Sequence, residues 1–170
     1  MTANTTRLPS PLPKLHHFAA LSSFTGFPSV KREWSIARQL KTIKQANFVG
    51  VAGRGSLLTR EALDVQGLRF WSTADIAEVD EIVPCFDELK PLNPERINVQ
   101  MADHDTTTEE ALPLTREIMK IGRDMGLDVA IELHRDTATE TPEKMFALAD
   151  AYADAEGELL NITWDLSHFA

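Results

Sequence analysis

Short apolar runs alternate with amphipathic segments along most of the chain. The apolar runs predict five strands, at residues 15–21, 47–52, 97–104, 127–134 and 159–165. Apolar residues at intervals of three and four predict helices from Trp34, over 75–89, after His104 and after Thr141. Strands that alternate with helices pair in parallel through right-handed crossovers, so the pattern predicts an α/β fold with a parallel sheet.

Two prolines lie within the predicted helices. We expect Pro84 to kink or interrupt the helix over 75–89, and Pro113 to delay the helix after His104 by a turn. Residues 1–14 hold three prolines and no apolar run, which predicts a flexible leader. Residues 15–170 are then expected to form one domain.

A parallel α/β sheet is either open or closed into a barrel. No G-x-G-x-x-G or P-loop motif follows a predicted strand, which removes the main sign of a nucleotide-binding open sheet. About five strand–helix units fit into the chain, whereas a (β/α)8 barrel needs about 250 residues. Length alone therefore favours an open sheet, and the motifs at the strand ends favour an incomplete (β/α)8 TIM-like barrel.

Charge and cysteine content limit the class of protein. The net charge is −9 and the Lys and Arg residues are scattered, so nucleic acid is an unlikely partner. The single cysteine, Cys85, cannot form an internal disulfide, which predicts a cytoplasmic location. No apolar stretch is long enough to suggest a membrane span.

Acidic and histidine side chains follow three of the predicted strands. Side chains alternate faces along the strand at 127–134, so Glu132 and His134 share the face turned away from the helices. Asp165 closes the next strand and would stand beside Glu132. Because two neighbouring carboxylates repel each other unless a cation neutralises them, the pair predicts a divalent metal site.

Other interpretations of these residues remain open at this point. A single acid at a strand end is often a helix cap, a loop anchor or a surface charge. His104, between two aspartates, is either a solvated loop residue or part of a site, and Arg135 either binds substrate or pairs with Asp136. No G-x-S-x-G, H-E-x-x-H or paired C-x-x-C motif is present, so serine chemistry and structural zinc are unsupported.

The segment 129–137, VAIELHRDT, followed by 163–168, TWDLSH, resembles the xylose isomerase-like barrels. These are sugar phosphate isomerases and epimerases and their relatives, the zinc-dependent apurinic endonucleases. The resemblance implies a Glu on the fourth strand and the Asp of a D-x-x-H motif on the fifth, holding one Mn, Mg, Co or Zn ion. By position, Glu132 would be ligand and catalytic acid/base and Asp165 a ligand. His168 is the implied substrate contact, and His134, Arg135 and His104 are further candidate substrate contacts at the strand ends.

The implied activity is isomerisation or epimerisation of a small sugar or sugar phosphate, by metal-assisted proton transfer through an enediolate. The sequence stops at Ala170, before the sixth to eighth strands expected for this barrel, so we expect the chain alone to be inactive. Two alternatives remain: a metal-dependent hydrolase of the same barrel family, such as an apurinic endonuclease-like protein, and a non-catalytic half barrel. The half barrel would assemble with a partner chain or as a homo-oligomer, because unpaired edge strands associate.

Overall fold

All six strands of the sheet run parallel, and each pairs with the strand that follows it along the chain. The computed structural model describes residues 14–168. The strands are β1 Phe18–Ala20, β2 Gly50–Gly53, β3 Arg69–Ile76, β4 Arg96–Met101, β5 Val129–Leu133 and β6 Ile162–Trp164. The helices are α1 Ile36–Gln45, α2 Arg60–Gln66, α3 Ile82–Leu89, α4 Thr108–Asp124 and α5 Pro142–Glu156.

The strand order separates a barrel from an open doubly wound sheet. Doubly wound sheets reverse their strand order at a switch point, whereas barrel strands follow one another around the axis. Here the order is β1-β2-β3-β4-β5-β6 without a reversal, and the sheet is curved into part of a barrel wall. Five strand–helix units and a sixth strand thus form the predicted incomplete α/β barrel.

The strand β3 and the helix α2 were not predicted from the sequence. Residues 75–89 were predicted as one helix, but Asp75 belongs to β3 and the α-helix begins only at Ile82. The outer residues of this strand alternate as a half-buried strand requires, whereas its inner residues are partly or fully exposed, and its last two residues were assigned to the predicted helix. Since β3 adds to the strand count, Glu132 lies on the fifth strand and Asp165 follows the sixth, not the fourth and fifth as predicted.

Both helix prolines are accommodated without a break. Pro84 occupies the third position of α3, where a backbone N–H has no partner within the helix. Pro113 lies inside α4, which nevertheless starts at Thr108 with no delay, so the predicted displacement of this helix was wrong. A reciprocal cap fixes that start: Thr107 Oγ1 accepts from the Glu110 N–H, and Glu110 Oε2 accepts from the Thr107 N–H.

The hydrophobic core lies between the outer face of the sheet and the helices. Along β3 and β4, every second residue is buried there, and these are Phe70, Ser72, Ala74, Ile76, Ile97, Val99 and Met101. Burying the apolar side chains of this set stabilises the layer by about 25 cal/mol for each Å² of apolar surface removed from water. The alternating residues are left on the inner face, which is where the polar side chains gather. Among residues 14–168 no helix is both long and apolar enough to cross a membrane.

Candidate functional site

Glu132 lies on the inner face of β5 and is 8% exposed. Its neighbours Ile131 and Leu133 join the core on the opposite face, as the alternation predicts. Glu132 Oε2 accepts a hydrogen bond from Gln100 Nε2 at 2.9 Å, and Gln100 stands on the inner face of the adjacent β4. The strand register thus brings a buried carboxylate and a neutral amide together near the carboxyl end of the sheet.

From Glu132 toward the amino ends of the strands, the side chains on the inner face change from polar to aromatic. Thr163 Oγ1 on β6 donates to Asn98 Oδ1 on β4 at 2.9 Å, across β5. Nearer the amino ends of the strands, the Arg96 guanidinium lies 5.5 Å from the Trp71 ring centre, a cation–π arrangement. Glu132 therefore lies nearer the carboxyl end than these contacts do, at the end where the loops of parallel barrels build their sites.

Two buried threonines hold the end of β5. Thr139 Oγ1 donates to the Glu132 carbonyl at 2.6 Å, and Thr137 Oγ1 donates to the His134 carbonyl at 2.6 Å. The Ala138 N–H donates to the Met101 carbonyl at the end of β4. The backbone that carries Glu132 and His134 is thus tied both to its own loop and to the neighbouring strand.

Asp165 follows β6 directly and is half-buried. Its Oδ1 accepts from the Ser167 N–H at 2.9 Å and from the Ser167 hydroxyl at 2.7 Å. Because Thr163 pairs with Glu132 in the strand register, Asp165 and Glu132 stand at neighbouring strand ends. His168 ends the short helical turn Leu166–His168, and its contact with substrate stays a prediction.

His134 and Arg135 follow the carboxyl end of β5. This end of the incomplete barrel, where the strands run out into loops, is called here the mouth of the half barrel. A cavity of about 520 Å³ there is lined by both His134 and Gln100. A neighbouring cavity of about 280 Å³ is lined by the same two side chains together with Asp75 and Arg135. Of the predicted substrate contacts, these two are therefore close to Gln100, the residue that holds Glu132.

His104 lies elsewhere, in the exposed loop between β4 and α4. It forms, with Asp103 and Asp105, the one group of three or more His, Cys, Asp or Glu side chains within residues 14–168 spaced to hold an ion. Neither cavity that His134 lines includes His104. The structure thus separates His104 from the mouth, and Glu132 and Asp165 do not belong to its group.

Lys144 connects that loop with the loop after β5. Its Nζ donates to the His104 carbonyl and to Glu140 Oε1, each at 2.6 Å. The hydrogen bond from Lys144 holds the pKa of the Glu140 carboxyl below its usual value. This exposed link joins the two loops and is not part of the buried site.

Three mouth residues were absent from the predicted site: Arg54, Asp75 and Gln100. Arg54, just after β2, forms an ion pair with Asp75 on β3. Asp75 was hidden because its segment was interpreted as a helix. Gln100 carried a usable signal, since it alternates with the apolar residues of β4 and therefore shares a face with Asn98.

The fold and the polar inner face define an incomplete parallel α/β barrel with its polar side chains on the inside. No family model and no curated protein sequence matches the chain. Among solved structures it is similar to the probable 3-DHS dehydratase AsbF of Bacillus anthracis, involved in petrobactin synthesis. The TM-score is 0.67 at 14% identity, over 91% of this chain and 64% of AsbF.

Two further structures share the architecture. One is a xylose isomerase-like TIM barrel/4-hydroxyphenylpyruvate dioxygenase fusion protein, with a TM-score of 0.53, 16% identity, and coverage of 72% of this chain and 24% of the fusion protein. The other is 4-hydroxy-tetrahydrodipicolinate synthase of Methylacidiphilum fumariolicum SolV, with a TM-score of 0.50, 11% identity, and coverage of 68% and 44%. The predicted resemblance to the xylose isomerase-like barrels is confirmed at the level of the fold.

Proposed function

We propose that this chain carries the proton-transfer site of a metal-dependent barrel enzyme, an isomerase or epimerase of a small sugar or sugar phosphate. The supporting observation is Glu132, a carboxylate that is 8% exposed on the inner face of the sheet. Its described contact is a hydrogen bond from the neutral amide of Gln100, and no Lys or Arg within residues 14–168 pairs with it. A buried carboxylate is costly unless a cation or a proton balances its charge.

A divalent ion suits these residues as the balancing charge. Glu132 and Asp165, at adjacent strand ends, offer carboxylate oxygens, which Mn²⁺, Mg²⁺, Co²⁺ and Zn²⁺ all accept. When bound, such an ion would polarise a substrate carbonyl and its neighbouring hydroxyl. The exposed group of Asp103, His104 and Asp105 is a weaker choice, because water already solvates its side chains.

The chemistry required of the protein is a proton shuttle. The Glu132 carboxylate takes a proton from the carbon next to the carbonyl, and the electron pair of that C–H bond moves toward the carbonyl oxygen to give an enediolate. The protonated Glu132 then returns the proton to the former carbonyl carbon, while the proton of the neighbouring hydroxyl moves to the former carbonyl oxygen, which completes an isomerisation. Gln100 keeps the carboxylate in place, and Thr139 fixes the backbone behind it. Epimerisation needs a second acid on the opposite face of the substrate.

A dehydratase is the second candidate, because it shares the first step. AsbF is described as a probable 3-DHS dehydratase. Loss of water from a hydroxycarbonyl compound also begins with removal of the proton next to the carbonyl. The position of Glu132 supports both reactions equally, and the product distinguishes them.

Location and assembly complete the proposal. A reducing cytoplasm suits a protein whose single cysteine, Cys85, is free.

Within residues 14–168, β1 and β6 each pair with one strand, and the exposed Leu159 and Leu166 flank β6. Open edges of this kind favour pairing with another chain, so we propose that the isolated chain forms homo-oligomers, which size-exclusion chromatography at micromolar concentration tests.

Calorimetric titration of the chain with Mn²⁺ tests the metal site. We expect Glu132→Gln to weaken Mn²⁺ binding by at least about tenfold. Replacing a residue that only orients a metal ligand already lowers metal affinity by about 10–100-fold, and Glu132 is proposed as a ligand itself. The matched control is Glu88→Gln, an exposed glutamate on α3. Equal Mn²⁺ affinity of the wild type and Glu132→Gln would refute the site.

The reaction class is tested on the protein purified from its native source, so that any further chain is present. Incubation with aldoses, ketoses and their phosphates in D₂O, followed by proton NMR, reports exchange next to the carbonyl. We expect exchange that requires a divalent ion and disappears on chelation. Exchange that persists with the chelator present would contradict metal assistance.

A further inference from the structure

Arg54 stands at the mouth of the half barrel, directly after β2. It lines the cavity of about 520 Å³ together with Gln39, Thr73, Gln100 and His134. Gln100 in turn donates to Glu132, so one residue of the cavity wall contacts the proposed acid/base directly. In a chain of net charge −9, a cation at this place provides a local attraction for anions.

Asp75, the ion-pair partner of Arg54, can be replaced by another oxyanion. The ion pair runs from Arg54 Nη1 to Asp75 Oδ2, and the two side chains are 64% and 49% exposed. Within residues 14–168, this contact engages one of the several N–H donors that a guanidinium offers. Exposed ion pairs contribute little stability, so another oxyanion can replace Asp75 at small cost. The forked guanidinium matches a carboxylate or a phosphate in two-point contact.

The rest of the cavity wall suits hydroxyl groups. Gln39 is 5% exposed, and its Nε2 donates to the Trp34 carbonyl at 2.8 Å. That hydrogen bond fixes the orientation of the Gln39 amide. The Gln39 Oε1 atom has no hydrogen-bond partner among the described residues. Thr73 adds a hydroxyl from the inner face of β3. The wall therefore combines the Arg54 cation with neutral donors and acceptors that suit hydroxyl groups, and it also includes the acidic residue Glu33.

We propose that Arg54 recognises the oxyanion group, a carboxylate or a phosphate, of a hydroxylated substrate, and that Asp75 holds the guanidinium in place until the substrate arrives. The inference rests on the proposed function, since it names the substrate class of that site. Arg135 lines the smaller cavity together with Asp75, and not the larger one that Arg54 lines. Arg54 is thus a specificity-determining residue, and Glu132 remains the proton-transfer group.

NMR titration of the chain with inorganic phosphate, with glycolate and with neutral glycerol tests the inference. We expect Arg54→Gln to weaken binding of the preferred anion by about 10–100-fold, the range for hydrogen bonds to a charged group. Asp75→Asn removes the competing carboxylate and should strengthen the same binding. Preference for phosphate indicates a phosphorylated substrate, and preference for glycolate indicates a hydroxy acid; both support the proposal.

The matched control is Arg123→Gln. Arg123 also forms an exposed ion pair, with Glu158, and both side chains are 51% exposed. Because α4 runs back toward the amino ends of the strands, Arg123 lies at the end of the sheet away from the mouth. Equal losses in Arg54→Gln and Arg123→Gln would mean that only net charge matters and would overturn the proposal. An absence of anion binding by the wild type, or unchanged binding by Arg54→Gln, would overturn it as well.

Mn²⁺ titration of the same variants keeps the two proposals separate. Arg54→Gln should bind Mn²⁺ as the wild type does, which also shows that the variant is folded. If Mn²⁺ binding depends on Glu132 while anion binding ignores Arg54, only the inference about the substrate fails. If anion binding depends on Arg54 while Mn²⁺ binding ignores Glu132, the proposed metal site fails and the anion site stands.

Discussion

The hydroxyl of Thr139 donates a hydrogen bond of 2.6 Å to the backbone carbonyl of Glu132, seven residues earlier in the chain. Thr139 is completely buried, so no water competes for this bond. The loop after β5 therefore turns back and holds the strand at the residue that carries the proposed acid/base. A loop residue with no chemistry of its own thus fixes the place of a carboxylate.

Replacing Thr139 by Val should destabilise the protein by about 1–3 kcal/mol, because the Glu132 carbonyl loses a buried donor while the side-chain shape is kept. Urea unfolding measures the change. Thr139→Ser keeps the hydroxyl and should lose less stability. A Val variant as stable as the wild type would show that the bond contributes nothing.

Replacing Ser72 by Ala should stabilise the protein by about 1 kcal/mol. Ser72 lies on the core face of β3, is fully buried, and its Oγ has no hydrogen-bond partner within residues 14–168. An unpaired buried hydroxyl costs about 1–3 kcal/mol by mutational measures, part of which the substitution removes. Thermal unfolding is the measurement, with the exposed Ser56→Ala as the control. A lower melting temperature for Ser72→Ala would contradict the expectation.

Gly122 lies where α4 packs on β5. A Cβ at this position would stand 2.6 Å from Val129 Cγ2. Ala is the better helix former by about 1 kcal/mol, but the clash should make Gly122→Ala destabilising by about 1–3 kcal/mol. In a Val129→Ala background the same substitution should cost less, and chemical denaturation of the four proteins measures the coupling. Equal costs in both backgrounds would mean that the clash is relieved in another way.

The start of α4 gives a prediction about pH. The Thr107 N–H and hydroxyl donate to Glu110 and hold its pKa below the usual value. A lowered folded-state pKa means that the contribution is complete above the unfolded pKa of about 4.3 and is lost as pH falls through the folded pKa. We therefore expect the stability difference between wild type and Glu110→Gln to shrink as pH drops below about 4. Denaturant unfolding at pH 7 and at pH 3 checks this, and a difference that grows at low pH would contradict it.

The prediction of the fold succeeded where local pattern and burial agree. The run 127–134 predicted a strand because it alternates strictly, and β5 is found at Val129–Leu133. The prediction failed at β3, whose inner residues Thr73 and Asp75 face an open half barrel and remain polar. Phe70, Ala74 and Ile76 do alternate with these inner residues, so a strand pattern was present, but the segment from Asp75 onward was interpreted as a helix.

Prediction of the site was limited in a different way. Glu132 and His134 were identifiable from their shared face on one strand, because that relationship is local. Gln100 and Thr139 were not, since their bonds to Glu132 depend on how β4 aligns with β5 and how the following loop folds back. His104 was placed near the mouth by its position at a strand end, and the structure keeps it in an exposed loop instead.

The sequence by itself determined the alternation of strands and helices, the parallel pairing and the face on which Glu132 stands, because these follow from periodicities within single segments. Only the tertiary structure decided which residues meet at the mouth. The ion pair of Arg54 with Asp75 and the hydrogen bond of Gln100 with Glu132 join different strands. Such contacts depend on strand register and on the curl of the sheet, which arise from packing the whole outer face against the helices.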